Sequence, residues 1–166
     1  MPVVCNQIQC SLISDYDGDV APAIEVGQQA GIVTLGYSCL GLGLLGNPNP
    51  SQLSFLRSAA FKAIADCDGA PELLAAVDEV ARRNDATRSQ VAIGWCLEKG
   101  VSPLFGVRTG PNVVENLTAV KRNWRMDATD FLLLEEARGR LAKKARETVS
   151  SRAEKRAAQT RPLDNN

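Results

Sequence analysis

The sequence predicts a parallel α/β fold in one ordinary domain. Three short runs rich in β-branched and apolar residues, "PVVCNQIQ", "IVTLGYS" and "VSPLFGV", read as strands. Segments with helical periodicity follow each of them. The resulting order is strand, helix, strand, two or more helices, strand, helix, helix, and such alternation indicates parallel strands joined by helical crossovers. At 166 residues the chain is long enough for a sizeable core.

Each element has its own justification. The first run, residues 2–9, ends in polar amides, as a strand does on reaching a sheet edge. After a loop rich in Asp and Gly, "APAIEVGQQAG" reads as a short helix with Ile24, Val26 and Ala30 inward and Gly31 as its stop. "IVTLGYS" is bounded by glycine-rich chain and reads as a buried strand. "NPNPSQ" is loop, because Pro48 and Pro50 each push the preceding residue to extended geometry. Residues 51–66 have only weak helical periodicity.

The second half is more regular. "PELLAAVDEVARRN" has Pro71 in its first turn and Leu73, Val77, Val80 and Ala81 on one face. "TRSQVAIGWCLEKG" opens with the capping-box spacing Thr87-x-x-Gln90, stops at Gly100, and is apolar nearly all round, so it should be packed on more than one side. "VSPLFGV" gives the third strand. "PNVVENLTAVKRN" follows as a helix with Val113, Val114, Leu117 and Val120 inward. "DATDFLLLEEARGRLAKKAR" is a last amphipathic helix capped by Asp127 or Thr129. Residues 147–166 lack a large apolar face, which predicts a frayed helix and a disordered basic tail after a domain spanning 1–146.

Composition excludes several classes of function. Hydrophobic content of 45% and charged content of 23% are those of a soluble globular protein. Lysine plus arginine equals aspartate plus glutamate, so the global charge argues for neither nucleic acid nor membrane. The balance hides an asymmetry, since Arg138 to Arg161 holds nine basic residues and two acidic ones. A basic tail of this kind is ordinarily solvated chain, with an arm for an acidic partner as the alternative. No stretch approaches the roughly 18 apolar residues of a membrane span, and "MPVVCNQIQC" has no secretory leader pattern. The expected location is the cytoplasm or another reducing compartment, such as an organelle stroma.

The five cysteines, Cys5, Cys10, Cys39, Cys67 and Cys96, contain no C-x-x-C pair, and the chain has no histidine. A zinc site or a disulfide framework is not expected, and free, mostly buried thiols are. Ser-His-Asp and Cys-His chemistry within this chain is excluded.

"GYSCLGLGLLGNPNP" contains Gly41-x-Gly43-x-x-Gly46, the glycine spacing of a dinucleotide-binding fingerprint. A Rossmann loop needs its third glycine inside the first turns of a helix that holds the pyrophosphate. Here "NPNP" follows Gly46 and cannot continue a helix. Asp66 lies at the distance of the ribose-binding acid, yet "FKAIAD" before it does not read as a strand. The match to the fingerprint is accidental.

A different resemblance accounts for the same residues. "NQIQCSLIS", "GIVTLGYSCLGLGLLG", "SQVAIGWCLEKGVSPLFGVRT" and "VVENLTAV" occur in the order and approximate spacing of the second half of the aldo-keto reductases. The chain resembles that family from about Val3 to about Leu141. The resemblance implies a partial (β/α)8 TIM barrel, approximately strands six to eight with their helices, plus a C-terminal helical tail. It implies NADPH as cofactor, bound extended and without a Rossmann motif, and the strands' C-terminal ends as the site.

Site residues follow from the same match. Gln7 corresponds to the glutamine that hydrogen-bonds the nicotinamide carboxamide, whose donor and acceptor suit an amide side chain; Asn6, on the opposite face, reads as structural. Tyr37 corresponds to the ring that stacks on the nicotinamide, leaving its other face open to substrate. Ser38, Leu40, Gly41 and Gly43 would form the loop beside the pyrophosphate, with the glycines letting backbone N–H groups approach. Cys39 departs from the family's usual proline or small residue. Gly106 and Arg108 lead to a helix N-terminus suited to an anion, and Arg108 resembles the residue that helps bind the 2′-phosphate. Glu115 and Asn116 match the pair contacting adenine, and Asn112 stands where many members carry arginine, which weakens the preference for NADP. Without the resemblance, Arg108 and Glu115 would read as surface charges.

The family's catalytic Asp, Tyr, Lys and His belong to the half of the barrel upstream of the match. Asp15, Tyr16 and Lys62 are misplaced to substitute for them, so the chain alone is expected to be inert toward the carbonyl substrate. Three explanations stay open: a piece of a full reductase, a natural half that pairs with a partner chain, or a self-associating, non-catalytic α/β remnant that binds nucleotide or protein. Neither nucleic acid nor membrane is an expected partner.

Overall fold

The computed structural model describes residues 2–14, 18, 20–46, 62, 66–107, 109–121 and 126–159, with 152–159 described as backbone only. Three strands, β1 (Cys5–Gln9), β2 (Val33–Tyr37) and β3 (Ser102–Leu104), form one parallel sheet in the order β1-β2-β3. Among the described residues five α-helices accompany them: α1 (Ala21–Gln29), α2 (Ala70–Arg83), α3 (Arg88–Glu98), α4 (Gly110–Lys121) and α5 (Ala128–Gln159). The order is the one that the sequence predicts, with each strand trimmed by a few residues. The weakly periodic segment 51–66 lies almost wholly outside the described residues.

Parallel pairing in register puts alternate residues of all three strands on common faces. Ile8 and Pro103 align with Gly36, and Asn6 with Thr34, on the helix side. Gly36 is needed there because a Cβ would lie 3.1 Å from Cys10 Cβ and closer still to Val101. The core lies behind this face, where Trp95, Leu73, Val77, Val80, Val91 and Leu134 are almost fully buried.

The local signals behave as their chemistry requires. Thr87 caps α3 in a complete capping box, accepting from the Gln90 N–H while the Gln90 side chain accepts from the Thr87 N–H. Residues 89–96 are buried all round, as an apolar helix between neighbours should be. Gly31 and Gly100 take positive φ after α1 and α3. Asp127, rather than Thr129, caps α5, accepting from the Thr129 N–H at 2.6 Å.

Three expectations are corrected. On α1, Ile24 and Gly27 are buried, while Val26 and Ala30 are exposed. On α4, Asn116 and Ala119 are buried, while Val114, Leu117 and Val120 are exposed. β2 is also not buried on both faces, since Val33 and Tyr37 lie open. In each case the apolar pattern is present, but no element covers it among the described residues. The chain from 147 to 159, expected as frayed helix, continues α5, and residues 160–166 of the expected tail lie outside the described residues.

Candidate cofactor site

The side of the sheet away from the helices carries Cys5, Gln7 and Gln9 of β1, Val33, Leu35 and Tyr37 of β2, and Ser102 and Leu104 of β3. Apart from the half-buried Leu35, all of these are exposed. Gln9, Tyr37 and Leu104 end their strands in one register row, so the C-terminal rim of the sheet is an amide, a phenol and an aliphatic side by side. Gln7 stands on the same face two residues back. The Cys10 N–H donates to the Tyr37 carbonyl at 3.1 Å and continues the ladder past the strand end. Sequence reasoning missed Gln9, although the alternation of "CNQIQ" puts Gln7 and Gln9 on one face.

Beyond Tyr37 the chain enters a compact loop. Ser38 and Leu42 adopt left-handed φ of 59°, and Gly41 and Gly43 have φ of 56° and 107°. Gly41 is required twice over, since a Cβ there would also lie 2.8 Å from Ile13 Cδ1. Leu44 and Leu45 anchor the loop in the core. Residues 41–43 form a single 3-10 turn, so the strand does not feed an α-helix as a Rossmann phosphate loop requires. The N–H groups of Gly41 and Gly43 donate to the carbonyls of Ser38 and Leu40 at 2.8 and 3.0 Å. Within the loop these two glycines therefore supply backbone shape, and their N–H groups hold its own turns.

Cys39 fastens this loop to the third strand. Its Sγ lies 3.4 Å from the Leu104 carbonyl oxygen, and burial pushes its thiol up to about 11. Cys10 and Cys96 are buried as well, and all five cysteines are free. Among the described residues no group of histidine, cysteine or carboxylate side chains could hold a metal ion.

The remaining sequence candidates fall in two groups. Gly106 and Asn112 are exposed, Asn112 in the first turn of α4, whose N-terminus favours anions. Glu115 is turned toward α3, where Oε1 accepts from Thr87 Oγ1 at 2.7 Å and its carbonyl accepts from Gln90 Nε2 at 3.0 Å. Asn116 is buried beneath it. Arg108, Asp15 and Tyr16 lie outside the described residues; Lys62 is exposed. The structure thus brings Gln7, Tyr37 and the 38–43 loop to one rim, and gives Glu115 a bond that joins two helices.

An open parallel sheet with helices on one face, its polar residues and loops gathered at the strands' C-terminal rim, is the architecture of a portion of a β/α barrel. The aldo/keto reductase family matches residues 1–138, and the chain belongs to that family. A chloroplastic pyridoxal reductase from Arabidopsis thaliana is 34% identical over 139 residues, covering 82% of this chain and 37% of that protein. Among solved structures, the thermostable aldo-keto reductase Tm1743, crystallised with the inhibitor epalrestat, superposes with a TM-score of 0.57 at 21% identity, covering 82% of this chain and 40% of its own. A mutant of Gox0644 in complex with NADPH gives a TM-score of 0.54 at 19% identity, covering 81% and 38%. The chain therefore spans about two fifths of the length of these relatives.

Proposed function

We propose that this chain is the cofactor-holding portion of an NADP(H)-dependent aldo-keto reductase that reduces aldehydes or ketones to alcohols. The observation that carries it is the rim itself: Tyr37 presents an exposed ring at the end of β2, beside the Gln7 and Gln9 amides on the same face. Its bound nicotinamide would supply hydride to the carbonyl. This chain's own residues would bind and orient it. Tyr37 offers a flat apolar floor, Gln7 an amide that both donates and accepts, and the 38–43 loop a rigid wall. Asn112 and the first turn of α4 suit the phosphate end of the dinucleotide, with Arg108 as the cation for a 2′-phosphate.

Protonation of the developing alkoxide needs a positioned acid. The chain has no histidine. The acid and its partners (the family's Asp, Tyr, Lys and His) belong to the rest of the barrel, and a reducing compartment suits the five free cysteines. No helix among the described residues is long and apolar enough to cross a membrane.

The test is a single-chain fusion in which this chain replaces the portion of the Arabidopsis pyridoxal reductase that it matches. Consumption of NADPH with pyridoxal, the first aldehyde to try, is expected from the fusion and absent from the chain alone. A folded fusion that neither binds nor consumes NADPH would overturn the reading and leave a non-catalytic interaction module in its place.

A further inference from the structure

Thr87 does more than cap α3. A capping box needs two bonds, and both are present: the Gln90 N–H donates to Thr87 Oγ1 at 3.2 Å, and the Thr87 N–H donates to Gln90 Oε1 at 3.1 Å. The same two side chains make two further bonds, and both go to Glu115 of α4. Thr87 Oγ1 donates to Glu115 Oε1 at 2.7 Å, and Gln90 Nε2 donates to the Glu115 carbonyl at 3.0 Å. One residue of α4 is therefore held by its side chain and its backbone at once. A hydroxyl has a single hydrogen, and Thr87 gives its own to Glu115. Glu115 Oε2 accepts from no side chain or backbone group among the described residues.

The chain connections put this cluster at the end of the sheet that carries the candidate cofactor site. Residues 99–101 join α3 to β3, and residues 105–109 join β3 to α4. With connections this short, both helices run antiparallel to β3, and both N-termini lie toward the C-terminal rim. The bond from Thr87 to the Glu115 carboxylate lies at the surface, where a hydrogen bond adds little to stability. The bond from Gln90 to the Glu115 carbonyl already ties the two helices together. What the Thr87 bond fixes is the direction of a carboxylate.

We infer that Thr87 is a positioning residue for the cofactor: its hydroxyl holds the Glu115 carboxylate as acceptor for the 6-amino group of adenine. The inference rests on the NADP(H) reading above, which assigns the phosphate end of the dinucleotide to Asn112 and the first turn of α4. A 2′-phosphate and the purine are carried by the same ribose, so the base lies close to that turn. Asn112 and Glu115 share a helix face, about 4.5 Å apart along the axis. A 6-amino group is a donor and needs an acceptor. Asn116, the other polar residue one turn on from Asn112, is buried, which leaves Glu115. A carboxylate free to rotate loses that freedom when it binds the amine; one already held by Thr87 does not, and it discriminates more sharply.

The experiment measures equilibrium binding of NADPH and of its 6-oxo (hypoxanthine) analogue to the single-chain fusion. The analogue presents an acceptor where adenine presents the amine. The ratio of the two affinities therefore reads the contact with Glu115, whereas a merely structural role for Thr87 would lower both affinities together. The parent should prefer NADPH about tenfold or more, as for one charge-assisted hydrogen bond. Glu115→Ala should abolish the preference. Thr87→Asp and Thr87→Gly both keep an acceptable N-cap but have no hydrogen to donate, so each should cut the preference to about threefold or less. Thr87→Ser keeps cap and donor and should retain the parental ratio. Thermal melts confirm that the variants are folded. A parental ratio surviving in either donor-less variant, or in Glu115→Ala, would overturn the inference. A parent that binds both nucleotides equally overturns it too and leaves the cofactor reading standing; a folded parent that binds neither defeats both.

Discussion

The Cys39 thiol donates to the Leu104 carbonyl across 3.4 Å, joining the loop after the second strand to the last residue of the third. One weak bond thus sets how the 38–43 loop meets the rim beside Tyr37. It also ties the loop to a group whose ionisation is suppressed. Burial raises the thiol from 9.0 to about 11. Between those values the unfolded chain loses this proton and the folded one keeps it, so stability falls as pH rises and the loss is complete near the upper value. Cys39→Ser keeps a donor that does not ionise in this range. Alkaline denaturation curves should show the variant spared about 2–3 kcal/mol of the loss between pH 9 and 11.

Gly41 fixes the loop's turn. Its φ of 56° disfavours any residue with a Cβ, and Ile13 crowds the space that the Cβ would enter. Gly41→Ala should cost about 1–2 kcal/mol in urea denaturation. Gly110→Ala, where nothing lies within contact distance of a Cβ, should cost far less.

Glu135 is the polar keystone behind the sheet. Its carboxylate accepts from Trp95 Nε1 and Lys99 Nζ, both at 2.7 Å, and from the buried Arg138 at 3.3 Å. Burial, the largest single influence, pushes its carboxyl up, and the donors together outweigh it, so the group sits below its ordinary value. Its contribution is therefore present above the unfolded value and lost as pH falls through the folded one. Glu135→Ala removes the shared acceptor and should destabilise by about 2–3 kcal/mol at neutral pH. Part of the chain's acid sensitivity should go with it, as read from thermal melts at pH 7 and pH 4.

Much of this was legible in the residues. The Thr87–Gln90 box, Pro71 in the first turn of α2 and the glycines at 31 and 100 are local devices, and local devices read directly. The glycine spacing at 41–46 was correctly denied to a Rossmann loop, since its residues close a 3-10 turn. What failed was inward direction: Val26, Val114, Leu117 and Val120 have the right periodicity but no cover among the described residues, because periodicity marks an apolar flank without saying what buries it. Gln9 escaped notice because its neighbour in the rim, Tyr37, comes from a strand 28 residues away, a register that only pairing establishes. The bond from Thr87 to Glu115 was equally out of reach, since it spans two helices.

The central claim is that NADPH sits on the Gln7–Tyr37 rim, and equilibrium binding of NADPH to the completed barrel tests it most directly. Tyr37 is 41% exposed and its side chain lies on the open face, so Tyr37→Ala should leave the melting temperature nearly unchanged. In the fusion the same substitution should weaken NADPH binding about tenfold, through loss of the stacking floor. Equal affinity in parent and variant, with both folded, would contradict the placement of the cofactor on this rim.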